Sequence, residues 1–150
     1  MGEAVIHLPA PVLSQIFEAA EAAYPEECCG LLVGLDDEAG LRVTRAEASP
    51  NVAEGDRRKS FLVDAKVQFD LMRGLGNGPE RIIGNYHSHP DHGAEPSERD
   101  WQSVFYPEHV WLIVAVENGR AGRAAAFRPH GGGFHEIPLD SGAGKPGSSP

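Results

Sequence analysis

The stretch Arg81-Ile82-Ile83-Gly84-Asn85-Tyr86-His87-Ser88-His89-Pro90 constrains this chain more than any other. A short apolar run leads into two histidines two residues apart. Histidines at i and i+2 share a direction only in extended backbone, because strand side chains alternate with period two. The run therefore predicts a strand over 81–87 that aims His87 and His89 at one face. Ten residues separate His89 from Asp100, in Ser97-Glu98-Arg99-Asp100. Two neutral imidazoles and one carboxylate make three protein ligands, the number a catalytic zinc takes while keeping a position open for water. A single anion among the three leaves such an ion cationic enough to acidify that water.

The rest of the chain predicts a scaffold for this strand. Val12, Leu13, Ile16, Phe17 and Ala20 share one face of a helix that Pro11 starts and Tyr24-Pro25 ends. Leu31-Leu32-Val33, closed by Gly34 and an acidic Asp36-Asp37-Glu38 turn, and Leu41–Glu47 predict a hairpin. Residues 49–60 are polar and read as a loop, followed by a short extended piece at Phe61-Leu62-Val63. Asp64 is an N-cap for a helix over 65–75, with Val67, Leu71 and Leu75 on one face. Residues 88–96 form a loop between the proposed ligands, and Ser97 starts a helix reaching about Tyr106. Val110–Val116 predicts a buried central strand. Two final strands cover 123–127 and 134–139. Residues 1–139 form one domain of the α+β class, and 140–150 read as a flexible tail rich in Gly and Pro.

Composition narrows the function. The formal charge is −9, which opposes a bulk role on nucleic acid or an anionic membrane. Arg57-Arg58-Lys59 is a compact basic cluster and reads as a solvated loop. No segment approaches the ~20 apolar residues of a membrane span. The N-terminus lacks the basic and apolar regions of a secretory signal. Its Met-Gly start has Ile at position six, which does not fit myristoylation. The two cysteines are adjacent, Cys28-Cys29, so a disulfide framework is absent and a reducing cytoplasm fits. They read as a plain buried pair.

His87-Ser88-His89-Pro90, a gap and Ser97-x-x-Asp100 together resemble the signature of the JAMM (MPN+) metalloprotease family. Pro25-Glu26-Glu27-Cys28-Cys29-Gly30 resembles that family's upstream Pro-x-Glu-x-x-Gly segment, with Glu27 at the matching position and Glu26 one residue early. The resemblance covers roughly residues 10–128. It implies a curved, mostly antiparallel sheet flanked by helices, with a cytidine-deaminase-like core. It implies zinc on His87, His89 and Asp100, with Glu27 as general acid and base and Ser97 holding the substrate oxyanion. Locally, Ser97 also reads as an N-cap with Asp100 at N3, and Glu27 alone as a surface glutamate before a strand. The implied substrate is the C-terminus of a ubiquitin-like or sulfur-carrier protein. The alternatives are a cell-wall or phage-tail type of peptidase and a non-catalytic MPN scaffold. Asp91, His92 and Glu95 read as solvated loop residues, and Trp101 and Trp111 as packing. Gly131-Gly132-Gly133 lacks the context of a phosphate loop.

Overall fold

The computed structural model describes residues 5–37 and 40–141, with Asp37 described in its backbone alone. The elements run β1 (Ile6–His7), α1 (Ala10–Ala23), β2 (Cys29–Asp37), β3 (Gly40–Ser49), α2 (Ala65–Leu75), β4 (Arg81–Pro90), α3 (Glu98–Gln102), β5 (Val110–Glu117), β6 (Arg120–His130), β7 (Gly133–Ile137) and β8 (Leu139–Asp140). The eight strands form one sheet in the order β7-β6-β5-β4-β2-β3-β1-β8. Its two edge strands are joined through Pro138 alone, so the sheet must curl until its edges meet. This is the α+β architecture read from the sequence. The long ladders β2–β3, β2–β4, β5–β6 and β6–β7 are antiparallel, while β4–β5 and the two short ladders of β1 are parallel.

The curl encloses α1. The helix packs on β3 at one side and on β5 and β6 at the other. Ile16 and Ala20 are fully buried there with Leu32, Tyr86, Leu112, Val114 and Val116. The opposite face is covered in two pieces. Leu71 of α2 packs on Leu31 and Val33, and a second cluster gathers Trp111, Ile113, Ala125 and Phe127 with Phe61 and Phe134. Asp64 caps α2 as expected, its side chain accepting from Lys66 N at 3.0 Å.

Glycines permit the closest approaches. A Cβ on Gly30 would fall inside the Tyr86 ring and against the Glu47 carbonyl, and one on Gly84 against the Val110 carbonyl. The glycine of the Pro-x-Glu-x-x-Gly segment is therefore a packing requirement between β2, β3 and β4.

Several boundaries differ from the sequence reading. β4 continues to Pro90, so both histidines lie within regular strand. α3 has five residues and stops at Gln102, because Ser103 turns back, its N–H and hydroxyl satisfying the Asp100 and Arg99 carbonyls. Of Phe61-Leu62-Val63, only Val63 pairs, in a single bridge with Asn51. β1 and β8 were not read from the sequence. Asp140, placed at the start of the tail, pairs with His7 across β8–β1. Glu38 of the acidic turn and residues 142–150 of the tail lie outside the described residues. Among the described residues no helix is long and apolar enough to cross a membrane.

Candidate metal centre and its surroundings

Parallel pairing of β4 with β5 dictates where the site can form. Parallel strands need a crossover of a dozen or more residues. Here residues 91–109 make that return and carry α3. Its first turn brings Asp100 back to His87 and His89 at the far end of β4. His87 Nε2 lies 3.1 Å from His89 Nε2 and 3.2 Å from Asp100 Oδ1, and His89 Nε2 lies 3.1 Å from Asp100 Oδ2. All three side chains are buried. Three lone-pair donors that converge this closely, with two imidazole nitrogens facing each other, form a group that could hold a metal ion.

Each of the three is oriented differently. His89 Nδ1 lies 3.0 Å from the Gly93 carbonyl, which favours a proton on Nδ1 and leaves Nε2 as the donor atom. Asp100 is held by a capping box: Ser97 Oγ accepts from Asp100 N at 3.0 Å, and Ser97 N donates to Asp100 Oδ2 at 2.9 Å. The helix-start reading of Ser97-x-x-Asp100 and its ligand reading thus describe one geometry. His87 has no such tether, and its buried Nδ1 lacks a hydrogen-bond partner. Rings fix it instead. Phe61 stacks on it at 4.2 Å and 17°, and Trp111 meets it edge-on at 5.7 Å.

Glu27 sits two residues ahead of Cys29, which pairs directly with His87. The Glu27 carboxyl lies close enough to His89 and Asp100 to feel their charges. It is buried, and its Oε1 has no hydrogen-bond partner. Burial pushes its carboxyl up to about 8; the nearby Asp100 charge adds to the rise, while His89 and Arg99 oppose it. Burial lowers the pKa of His87 despite its Asp100 bond. At His89 burial is the largest influence and works against the charge, but the Asp100 bond and charge, the Gly93 carbonyl and the Glu27 charge together outweigh it, and the pKa rises. Burial would raise Asp100, yet bonds from both imidazoles hold it far below the ordinary carboxylate range. An unpartnered carboxyl titrating near neutrality beside a cation-ready group has the properties of a proton carrier.

The remaining sequence readings resolve as follows. Ser88 is buried on the opposite face, its Oγ accepting from Cys28 N at 2.8 Å. Both cysteines are buried, and burial pushes Cys29 up to about 12, which leaves it a thiol. Asp91 adopts a left-handed φ of 58° and anchors the turn after β4, accepting from Tyr24 Oη at 2.7 Å and Asn118 N at 2.9 Å. His92 is exposed. Glu95 reaches Arg123 only at 4.0 Å. Arg57 and Lys59 are exposed with Arg58, which pairs with Asp56. Sequence reasoning missed Phe61 and Trp111 as neighbours of His87. Trp111 lies two residues before Ile113, the β5 partner of His87, and so shares its face. Only the strand register could have revealed that.

Comparison with known proteins places the chain in a family. The description "Prokaryotic homologs of the JAB domain" matches residues 9–128. A desampylase of Haloferax volcanii is 30% identical over 126 residues, covering 84% of this chain and 86% of the relative. A CysO-cysteine peptidase of Mycobacterium tuberculosis is 24% identical over 140 residues, covering 91% and 90%. A protein of Desulfitobacterium hafniense, solved in solution, superposes with a TM-score of 0.78 at 27% identity, covering 89% and 90%. A JAB1/MPN domain protein from Archaeoglobus fulgidus shares the fold, with a TM-score of 0.56 at 22% identity over 91% and 98%. The chain belongs to the prokaryotic JAB domain family.

Proposed function

We propose that this chain is a zinc-dependent peptidase that hydrolyses an amide or isopeptide bond at the C-terminus of a ubiquitin-like or sulfur-carrier protein. The observation that carries the reading is the buried His87–His89–Asp100 group with the unpartnered Glu27 carboxyl beside it. The names of the two relatives, desampylase and CysO-cysteine peptidase, support the substrate class. A complete donor set opposes the scaffold alternative.

The residues fit a zinc ion: two imidazoles, one carboxylate and a tether on His89 make a familiar catalytic set. A zinc ion held by His87, His89 and Asp100 supplies a Lewis acid that acidifies water and polarises a carbonyl. Glu27 takes a proton from the attacking water as its oxygen bonds to the scissile carbonyl carbon. It then returns that proton to the leaving nitrogen as the C–N bond breaks. One water and one amide become one carboxyl group and one amine. Ser97 uses its hydroxyl oxygen to cap Asp100 and so keeps its hydrogen to donate to the carbonyl oxygen as charge builds there.

The surroundings suit an extended peptide. A cleft of about 600 Å³ runs along the face that carries His87, lined by Leu62, Gln68, Phe105 and Tyr106. Phe61 and Trp111, the rings that pack on His87, also line it. A C-terminal tail lying there would present its last bond to the metal centre.

The test pairs metal analysis with cleavage. Wild type should carry one zinc per chain and cut a ubiquitin-like Gly-Gly–peptide fusion after the second glycine. His89→Ala and Asp100→Ala should lose both properties. Full zinc occupancy in either variant would refute the ligand set. Zinc without cleavage would retain the metal site and reject the substrate.

A further inference from the structure

We propose that Asn51 is the positioning residue that holds Glu27 in place for proton transfer, an inference that rests on the function proposed above. The 51–62 segment forms a largely exposed arch beside the site, and its base is closed by the Val52 N–H donating to the Leu62 carbonyl at 2.9 Å and by the Asn51 side chain. Asn51 Nδ2 donates to the carbonyls of Glu27 and Ser60, both at 3.0 Å. Its Oδ1 accepts from Ala53 N at 3.0 Å and Leu62 N at 3.1 Å. An asparagine amide offers two donors and two acceptor lone pairs, and here all four are used. Two carbonyls on one side and two N–H groups on the other also fix which end is nitrogen.

The arch grips Glu27 from its other end as well. Glu27 N donates to the Arg57 carbonyl at 2.9 Å, and Arg57 Nε closes back on the Ala53 carbonyl at 2.9 Å. The Glu27 peptide units are thus fastened on both sides by a loop that Asn51 shapes. The same arch carries Phe61, the ring stacked on His87. Beneath it, Cys29 Sγ lies 3.6 Å from the Pro50 carbonyl and 3.8 Å from that of Leu62. The Glu27 carboxyl itself has an unpartnered oxygen. Its direction therefore depends on where its backbone is held, and Asn51 is the side chain that holds it.

Asn51→Asp separates the two halves of this role. It keeps the acceptor that Ala53 and Leu62 need and replaces both donors with an oxygen facing two carbonyls. With the zinc-loaded full chain and the Gly-Gly fusion, kcat should fall about 100-fold while KM stays within about threefold, as for a misplaced catalytic group. Zinc content should stay at one per chain. Amide hydrogen exchange at Glu27 should quicken by about tenfold or more while that of Ile113, in the central strand, is unchanged. A kcat within about threefold of wild type overturns the proposal. So does an unchanged Glu27 amide, or equal acceleration at Ile113, which would mark a general loss of stability. If the variant does not fold, wild type decides: the Asn51 side-chain amide should exchange slowly, and free-amide rates overturn the assignment. If wild type cleaves no fusion, the proposed function fails, and the exchange measurements still decide the role of Asn51.

Discussion

His87 and His89 stand in the middle of a sheet, and Glu27 stands at its margin. The histidines occupy the far end of β4, where His87 pairs with β2 and β5 and His89 with β5, so their neighbours are set by register. Glu27 precedes β2, and a loop fixes its backbone through the Arg57 carbonyl and the Asn51 amide. A strand places atoms by its periodicity and needs little local help. A residue outside the ladder must find partners for its peptide groups, and the 51–62 arch supplies them. The proposed metal side of the site is therefore built from regular structure and the proposed proton-transfer side from an irregular one.

The sharpest way to break that contrast is to remove the chemistry and leave the geometry. Glu27→Gln should lower kcat by about 10²–10⁴-fold, the range for losing a general acid–base group, while zinc content remains one per chain. Turnover near the wild-type rate would remove Glu27 from proton transfer and leave the arch without a catalytic purpose.

Phe61→Ala tests whether the arch also serves the metal side. His87 has no partner at Nδ1 and relies on rings. Losing the stacked ring should weaken zinc binding by about 10–100-fold, the usual cost of removing support behind a ligand. Titration with a competing chelator measures it. An unchanged affinity would show that Trp111 and the strand suffice, and would widen the difference between the two sides.

Gly30→Ala strikes the sheet where both sides meet. The added methyl would press on Tyr86 and the Glu47 carbonyl, so the variant should lose about 1–3 kcal/mol, as overpacked cores do. Chemical denaturation would show it. A neutral result would mean that β2 and β4 can part without cost.

The same contrast explains what could be read in advance. The His-x-His spacing and the apolar run at 110–116 carry a strand's own period, and Ser97-x-x-Asp100 is a local helix-start pattern. Glu27 has no such pattern, and only the family resemblance points to it. The contacts of Asn51, Phe61 and Trp111 with the site are not legible in the sequence, because they arise from register and from a loop without periodicity. β1 and β8 are two residues each and too short to show alternation. α3 ends at Gln102 through Ser103, four residues before Pro107, the nearest residue that would mark a stop.

A last effect concerns the cost of keeping Glu27 buried. Its carboxyl sits at about 8 in the folded chain without metal, against roughly 4.3 when free in water. Between those values the folded chain binds a proton that the unfolded chain has released. Stability then falls as pH rises across that window, and the loss is complete above about 8. His89 contributes a slope of the same sign, since its raised pKa gives stability that fades at high pH. The wild-type curve alone therefore does not isolate Glu27, but its difference from Glu27→Gln does. In metal-free protein the variant should melt above wild type at pH 8.5, and the two should converge toward pH 5. Restoring zinc should shrink the difference, because a nearby cation favours the carboxylate. Parallel melting curves across the whole range would mean that Glu27 reaches solvent, and that the arch holds its backbone without setting its charge.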